Sequence, residues 1–63
     1  MTNLPTPYAA ARIAAFLSQH LCWSVFWDKH EGLWRAAEDD PDSDLYVKSP
    51  DADVVIRYMA VHS

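Results

Sequence analysis

The chain has 63 residues, of which 51% are hydrophobic, and its five basic and nine acidic residues give a formal net charge of −4 at pH 7. Because a core of this size only just offsets the conformational entropy lost on folding, we expect one domain over residues 1–63 with most aromatic rings buried. The excess of acidic residues disfavours phosphate binding, and no apolar run is long enough to span a membrane. The lone cysteine, Cys22, excludes an internal disulfide and suits a reducing cytoplasm.

The first predicted element is a helix over about residues 7–21, which follows a loose leader at 1–5. Thr6-Pro7 has the form of an N-cap followed by a proline at the first helical position. Arg12 is expected to face away from the core. Helical spacing places on the core side Ala10, Ile13, Ala14, Leu17 and Leu21, with Phe16 and His20 flanking them.

A β-hairpin is predicted over about residues 22–38, which hold all three tryptophans and the only glycine. A turn over 29–32, closed by a positive φ at Gly32, pairs Trp27 with Trp34. A turn longer by one residue pairs Trp27 with Leu33 and sends Trp34 to the other face, so the register stays open, with the Trp27/Trp34 pairing preferred. Cys22 is expected to be buried. The preferred core face comprises Trp23, Val25, Trp27, Trp34 and Ala36, and replacing Trp27 with alanine is expected to unfold the protein.

After an acidic loop at 38–44, residues 45–48 alternate apolar and polar side chains and predict a short edge strand. Ser49-Pro50-Asp51 repeats the cap-and-proline signal, so a second helix is predicted over about 50–61. The competing interpretation is a strand through 53–58, which the β-branched residues favour and the proline cap opposes. The helix would place Ala52, Val55, Ile56 and Met59 on the core and a second apolar stripe roughly opposite, namely Val54, Tyr58 and Val61.

The predicted order is therefore α-β-β-β-α, an α+β fold in which a small antiparallel three-stranded sheet packs against two helices in two layers. This order resembles that of double-stranded-RNA-binding domains. Those domains carry lysines at the start of the final helix, where this chain reads Ser49-Pro50-Asp51-Ala52-Asp53. The resemblance is one of topology, and RNA binding is not carried over with it.

The tryptophan pattern of the hairpin carries a second resemblance. Trp23-Ser24-Val25-Phe26-Trp27, followed after the turn by Trp34-Arg35-Ala36, is similar to the Trp-x-Val-x-Trp and Trp-x-Ala strands of short uncharacterised actinobacterial proteins. The resemblance covers the hairpin. It implies a cytoplasmic protein of bacterial or phage origin and brings no activity.

No catalytic residue, cofactor or metal ligand is predicted from the sequence. With a single glycine, phosphate-binding loop motifs are absent. The acids of Asp40-Pro41-Asp42-Ser43-Asp44 are spaced like the start of a calcium-binding loop, but Leu45 stands where the tight turn needs glycine, so a solvated acidic turn is preferred. His30, with Asp28 and Glu31, is likewise interpreted as part of a solvated turn rather than an acid-base cluster.

These observations favour a small non-catalytic interaction module, a regulatory or accessory protein that binds another protein, and they indicate that the chain is not an enzyme. One candidate surface is an acidic segment that would meet a basic partner, and it comprises Glu38, Asp39, Asp40, Asp42 and Asp44. The other is the apolar stripe of the final helix, which has no place in the core and would bind a partner or a second copy in a homodimer, and it comprises Val54, Tyr58 and Val61.

Two alternative functions stay open. In the first, the protein is an acidic nucleic-acid mimic whose carboxylates occupy the basic surface of a DNA- or RNA-binding protein. In the second, the protein binds nucleic acid directly. That function requires dispersed basic side chains to converge on one face, namely Arg12, Lys29, Arg35, Lys48 and Arg57.

Overall fold

A computed structural model describes residues 4–62 of the chain. Its elements in order are α1 (Pro7–Leu17), β1 (Trp23–Asp28), β2 (Leu33–Glu38), β3 (Tyr46–Ser49) and α2 (Ala52–Val61). The predicted α+β class and α-β-β-β-α order are confirmed, and the competing strand through 53–58 is wrong. Of the leader predicted at 1–5, residues 1–3 lie outside the described part of the chain.

α1 begins as its cap predicts but ends at Leu17 rather than near residue 21. The Ala9 N–H donates to Thr6 Oγ1 at 3.1 Å, with Pro7 at the first helical position. At the other end, Ser18 Oγ donates to a backbone carbonyl of the last turn, a bond that competes with helix continuation. The chain must reverse between α1 and β1, so Leu21, which was predicted on the core side, is 82% exposed.

The core face of α1 is rotated slightly from the predicted one. Ile13 is buried, whereas Ala14, predicted to be buried, is exposed. Arg12 does not face away, because its guanidinium pairs with Asp53 at the start of α2. The residues of α1 that pack around the core are Ala9, Ala10, Phe16 and Leu17.

The sheet has the antiparallel order β1-β2-β3. Trp27 lies opposite Trp34, so the preferred register is confirmed, and their rings meet edge to face with centroids 5.2 Å apart. Gly32 closes the turn with a φ of 67°, and its N–H donates to the Asp28 carbonyl at 2.7 Å. A residue with a Cβ would strain that left-handed conformation, which explains why the glycine stands there.

The core forms where one face of the sheet meets both helices. Its sheet residues share that face, and Cys22, predicted to be buried, is exposed because the inward position belongs to the next residue, Trp23. Phe26 lies on the opposite face and is 58% exposed. The buried residues are Ile13, Trp23, Trp34, Ala36, Ala52, Val55 and Met59.

α2 begins two residues later than predicted, because its cap is Asp51 rather than Ser49. The Asp53 N–H donates to the Asp51 carboxylate at 2.9 Å, which satisfies a donor of the first turn. The predicted core side of α2 is confirmed, with Met59 fully buried. Neither helix in residues 4–62 has the length and apolar content that crossing a bilayer requires.

Candidate functional site

An open groove of about 300 Å³ lies between β3 and α2. Valine side chains and a tyrosine ring make most of its lining apolar, while a guanidinium and an imidazole add polar groups. The lining residues are Val47 from β3 and Val54, Arg57, Tyr58, Val61 and His62 from α2 and its C-cap. The groove therefore contains all three residues of the apolar stripe predicted from the sequence, Val54, Tyr58 and Val61.

Two of these stripe residues leave apolar surface uncovered. Val54 is 48% exposed and Val61 is 73% exposed. Their seven-residue spacing is close to two helical turns, so both side chains lie on the same side of α2. The pair forms an apolar strip about 10 Å long that no part of the described chain covers.

Tyr58 differs from the expectation that the whole stripe lies outside the core. It is half-buried and packs against the core, where its ring meets Trp23 edge-on at 6.2 Å between centroids. Its hydroxyl oxygen accepts a hydrogen bond from the Tyr46 N–H at 3.3 Å. A helical projection assigns each residue to one face, but a long side chain at the boundary reaches both, so Tyr58 both packs on the core and lines the groove.

The same groove borders the open edge of the sheet. Within residues 4–62, β3 pairs only with β2, and the Leu45 carbonyl, which accepts from the Glu38 N–H, points toward β2. Successive strand residues direct their backbone groups to alternate sides, so Tyr46 and Lys48 direct theirs away from β2. The hydrogen bond from the Tyr46 N–H to the Tyr58 hydroxyl on α2 agrees with this direction. The unpaired edge of β3 and the apolar strip of α2 therefore lie side by side.

The basic side chains of the molecule fall into two groups. Arg12 pairs with Asp53, and Arg35 pairs with Asp28 at 2.8 Å and with Glu31 at 3.1 Å. By contrast, neither Lys48 nor Arg57 has a carboxylate partner within residues 4–62. Because Arg57 lines the groove, it places there a guanidinium without a carboxylate partner in the described chain, in a protein of net negative charge, whereas the Lys48 side chain lies on the other sheet face.

The five cations named for direct nucleic-acid binding do not converge. Arg35 and Lys48 are cross-strand partners on the sheet face away from the helices. Arg12 lies on α1 and Arg57 on α2, and Lys29 is in the hairpin turn. The structure therefore offers no continuous basic face built from these side chains.

The acidic segment is divided between structural and exposed carboxylates. The Asp39 N–H donates to the Cys22 carbonyl at 2.7 Å, and its carboxylate accepts from the Ser24 hydroxyl. Asp40 Oδ1 accepts from the Asp42 N–H at 2.9 Å, the geometry of a turn that aspartate stabilises. These two acids thus hold the connection from β2 to β3.

The remaining members of the segment differ from one another in burial. Glu38 ends β2 and is half-buried beside its cross-strand partner, Trp23. Asp42 and Asp44 are exposed. Local structure therefore accounts for more of the acidic run than sequence reasoning did, and the exposed part of the segment is smaller than the five residues predicted.

Asp28 organises the hairpin turn in which the sequence also placed His30 and Glu31. Its Oδ1 accepts from the His30 N–H at 2.9 Å and from the Glu31 N–H at 3.2 Å, and its Oδ2 accepts from Arg35 Nε at 2.8 Å. The hydrogen bond from Arg35 lowers the pKa of Asp28, and the backbone bonds add to this effect. Bonds to Asp28 and Tyr46 raise the pKa of Arg35. The cluster stabilises the turn.

We expect part of the acid sensitivity of this protein to come from Asp28. Its folded pKa lies below the ordinary value of about 3.9, so its stabilising contribution is complete above that value and is lost as pH falls through the folded pKa. Asp28→Asn should lower the free energy of unfolding at pH 7 and flatten its fall between about pH 5 and pH 2. Urea denaturation at several pH values measures both effects.

The matched control is Asp42→Asn, which removes an exposed carboxylate of the acidic segment. It should leave the free energy of unfolding at pH 7 within about 0.5 kcal/mol of the wild-type value. A profile in Asp28→Asn that parallels the wild type down to about pH 2 would contradict the assignment.

No three side chains of histidine, cysteine, aspartate or glutamate within residues 4–62 come together in a way that could hold a metal ion. The chain matches no protein-family model, no curated protein and no solved structure. The two resemblances drawn from the sequence therefore stay predictions.

Proposed function

We propose that the protein is a small non-catalytic interaction module, a regulatory or accessory protein that binds another protein in the groove between β3 and α2. The observation that carries this proposal is the exposure of Val54 and Val61, at 48% and 73%, beside an unpaired strand edge. Apolar side chains clustered in a concave surface with a polar rim are typical of interaction sites. Burying them on a partner would recover the hydrophobic free energy that folding leaves unused.

The acidic segment has a secondary part in this proposal. Asp39 and Asp40 support the loop, which leaves Asp42 and Asp44 as the exposed carboxylates best placed to attract a basic region of the partner. Such charges raise the rate of association more than they raise affinity. A nucleic-acid mimic would need more of the segment free to imitate a row of phosphates, so the groove is the better supported site.

Two further features belong to the same proposal. We place the protein in the cytoplasm, because an exposed lone cysteine, Cys22, suits a reducing compartment. A second copy of the chain is the competing occupant of the groove, as a homodimer through Val54 and Val61 would bury the same strip. A net charge of −4 on each copy opposes that association.

The groove is tested by selecting binders from a displayed library of natural protein fragments. The double variant Val54→Asp, Val61→Asp should bind the selected fragments at least about tenfold more weakly, since about 1.5 kcal/mol or more of apolar burial is lost. Because both side chains are exposed, circular dichroism should show a folded protein.

A matched double variant, Leu21→Asp with Phe26→Asp, changes two apolar side chains that are 82% and 58% exposed and lie outside the groove. It should bind the fragments as the wild type does. If this control variant lost binding while the groove variant kept it, the interface would lie on the open face of the sheet, around Phe26. Sedimentation of the wild type completes the test, since a dimer that the groove variant dissociates would make a second copy the occupant.

A further inference from the structure

We infer that the groove takes its partner as an extended segment that adds to β3 as a fourth strand, with apolar side chains against α2 and a carboxylate at Arg57. This inference rests on the proposed function, because it names the conformation and chemistry of the segment that the same groove would bind. The segment carries two apolar residues at alternate positions and, on the same face, an aspartate or glutamate.

The backbone of β3 supplies the first argument. Tyr46 and Lys48 direct their N–H and C=O groups away from β2, toward the place that a fourth strand would occupy. Such an edge pairs readily with another chain unless charge, proline, a bulge or a covering element prevents it. β3 has four residues with the sequence Tyr-Val-Lys-Ser, in which the lysine is the one protective side chain, and the Tyr58 hydroxyl covers the Tyr46 N–H.

Tyr58 supplies the second argument, because its hydroxyl stands where the carbonyl of an added strand would be. That oxygen accepts from the outward Tyr46 N–H, as the backbone carbonyl of a neighbouring strand would. The donor-acceptor distance of 3.3 Å is at the long end of the range for N–H···O bonds, so the bond is weak. An incoming carbonyl can replace it without leaving a buried donor unsatisfied. The Tyr58 hydroxyl thus occupies the acceptor position that a backbone carbonyl of the partner would take.

The spacing of the apolar strip supplies the third argument. Val54 and Val61 are about 10 Å apart along α2, and side chains on one face of a strand recur about every 7 Å. Two alternate side chains of an extended segment, about 7 Å apart, therefore fit within the length of this strip. A strand added at about 4.8 Å from β3 would carry them into the groove that Val47 and Tyr58 also line.

Charge decides the remaining chemistry of the segment. Arg57 lines the groove and has no carboxylate partner in the described range 4–62, while Arg12 and Arg35 are already paired. A carboxylate on the segment would form a charge-assisted hydrogen bond with this guanidinium. An acidic and apolar extended segment thus matches the groove in backbone, side chains and charge.

The probes are capped peptides of seven residues, Thr-Val-Thr-Ile-Thr-Glu-Thr and its reverse, acetylated and amidated so that the side chain supplies the only carboxylate. At least one should bind the wild type in calorimetric titration. Its binding should shift the amide resonances of β3 and slow the hydrogen exchange of the Lys48 amide. A peptide N-methylated at alternate residues, which cannot complete the ladder, should bind at least about tenfold more weakly.

Two variants give opposite expected changes. Tyr58→Phe removes the competing acceptor while its ring keeps packing on the core, so it should bind the peptide about two- to tenfold more tightly. Arg57→Gln should lower the affinity for the glutamate peptide about tenfold and the affinity for the matching glutamine peptide less than about twofold. Phe26→Ala, on the other sheet face, is the control and should leave both affinities unchanged.

Failure of strand addition is distinguishable from failure of the groove. If fragments selected from the library lose binding in the Val54→Asp, Val61→Asp variant but neither capped peptide binds, the groove stands and strand addition is overturned. Unchanged or weaker peptide binding by Tyr58→Phe, or an unprotected Lys48 amide, would overturn it as well. If the groove variant binds the selected fragments normally, the proposed function itself fails.

Discussion

Replacing Trp34 with alanine should unfold the protein. Trp34 lies in the central strand, is 6% exposed and packs edge-on against Trp27. Truncating a buried aromatic residue to alanine costs about 3–5 kcal/mol, because transfer free energy is lost and a cavity is left. A domain this small rarely has more than about 3–5 kcal/mol of stability to lose. Thermal denaturation followed by circular dichroism should show no cooperative transition.

The matched control for this variant is Phe26→Ala, in the neighbouring strand. The ring of Phe26 lies on the open face of the sheet and is 58% exposed, so its removal should leave a cooperative transition. The sequence pointed to Trp27 for the same experiment. Because Trp27 is half-buried, we expect its removal to destabilise the protein less than that of Trp34. A Trp34→Ala protein as stable as Phe26→Ala would show that the tryptophan face is not the core.

Replacing Met59 with alanine should destabilise the protein by about 2–5 kcal/mol. Met59 is 0% exposed and anchors α2 on the core, where the surrounding side chains can only partly close the cavity left by its removal. Higher helix propensity of alanine offsets only a few tenths of a kcal/mol of this loss. Urea denaturation should show a lower midpoint with little change in slope.

Val61→Ala provides the comparison on the same helix. Val61 is 73% exposed, so this change should move stability by about 0.5 kcal/mol or less. The pair therefore separates the core side of α2 from the groove side. Equal destabilisation by Met59→Ala and Val61→Ala would mean that both sides of the helix are buried, and the groove would then not be open.

The candidate site could be predicted in part from the sequence. Helical spacing identified the stripe of Val54, Tyr58 and Val61, and the short alternating run before Lys48 identified an edge strand. What the sequence does not express is that the helix stripe and the strand edge border one groove, because that depends on the angle at which α2 crosses the sheet. The role of Tyr58 as a link to the Tyr46 N–H depends on the same crossing.

The acidic segment was overestimated from the sequence for a related reason. A run of carboxylates suggests a solvated surface, since Arg35 and Lys48 are the only basic residues within four positions of it. Asp39 finds the Ser24 hydroxyl fifteen positions earlier in the chain, once the hairpin has formed. Arg12 finds Asp53 across the two helices in the same way. Such pairs join residues of different secondary-structure elements, so the sequence around either residue does not predict them.

The sequence by itself determined the kind and order of the elements in this protein. The cap at Thr6 and the positive φ at Gly32 act within a single turn, so local preferences decide them, and those preferences also favoured the pairing of Trp27 with Trp34. Only the tertiary structure decided which boundary side chains are buried and which acidic side chains have partners. Those outcomes depend on which distant surface arrives to cover a residue, and periodicity carries no information about that.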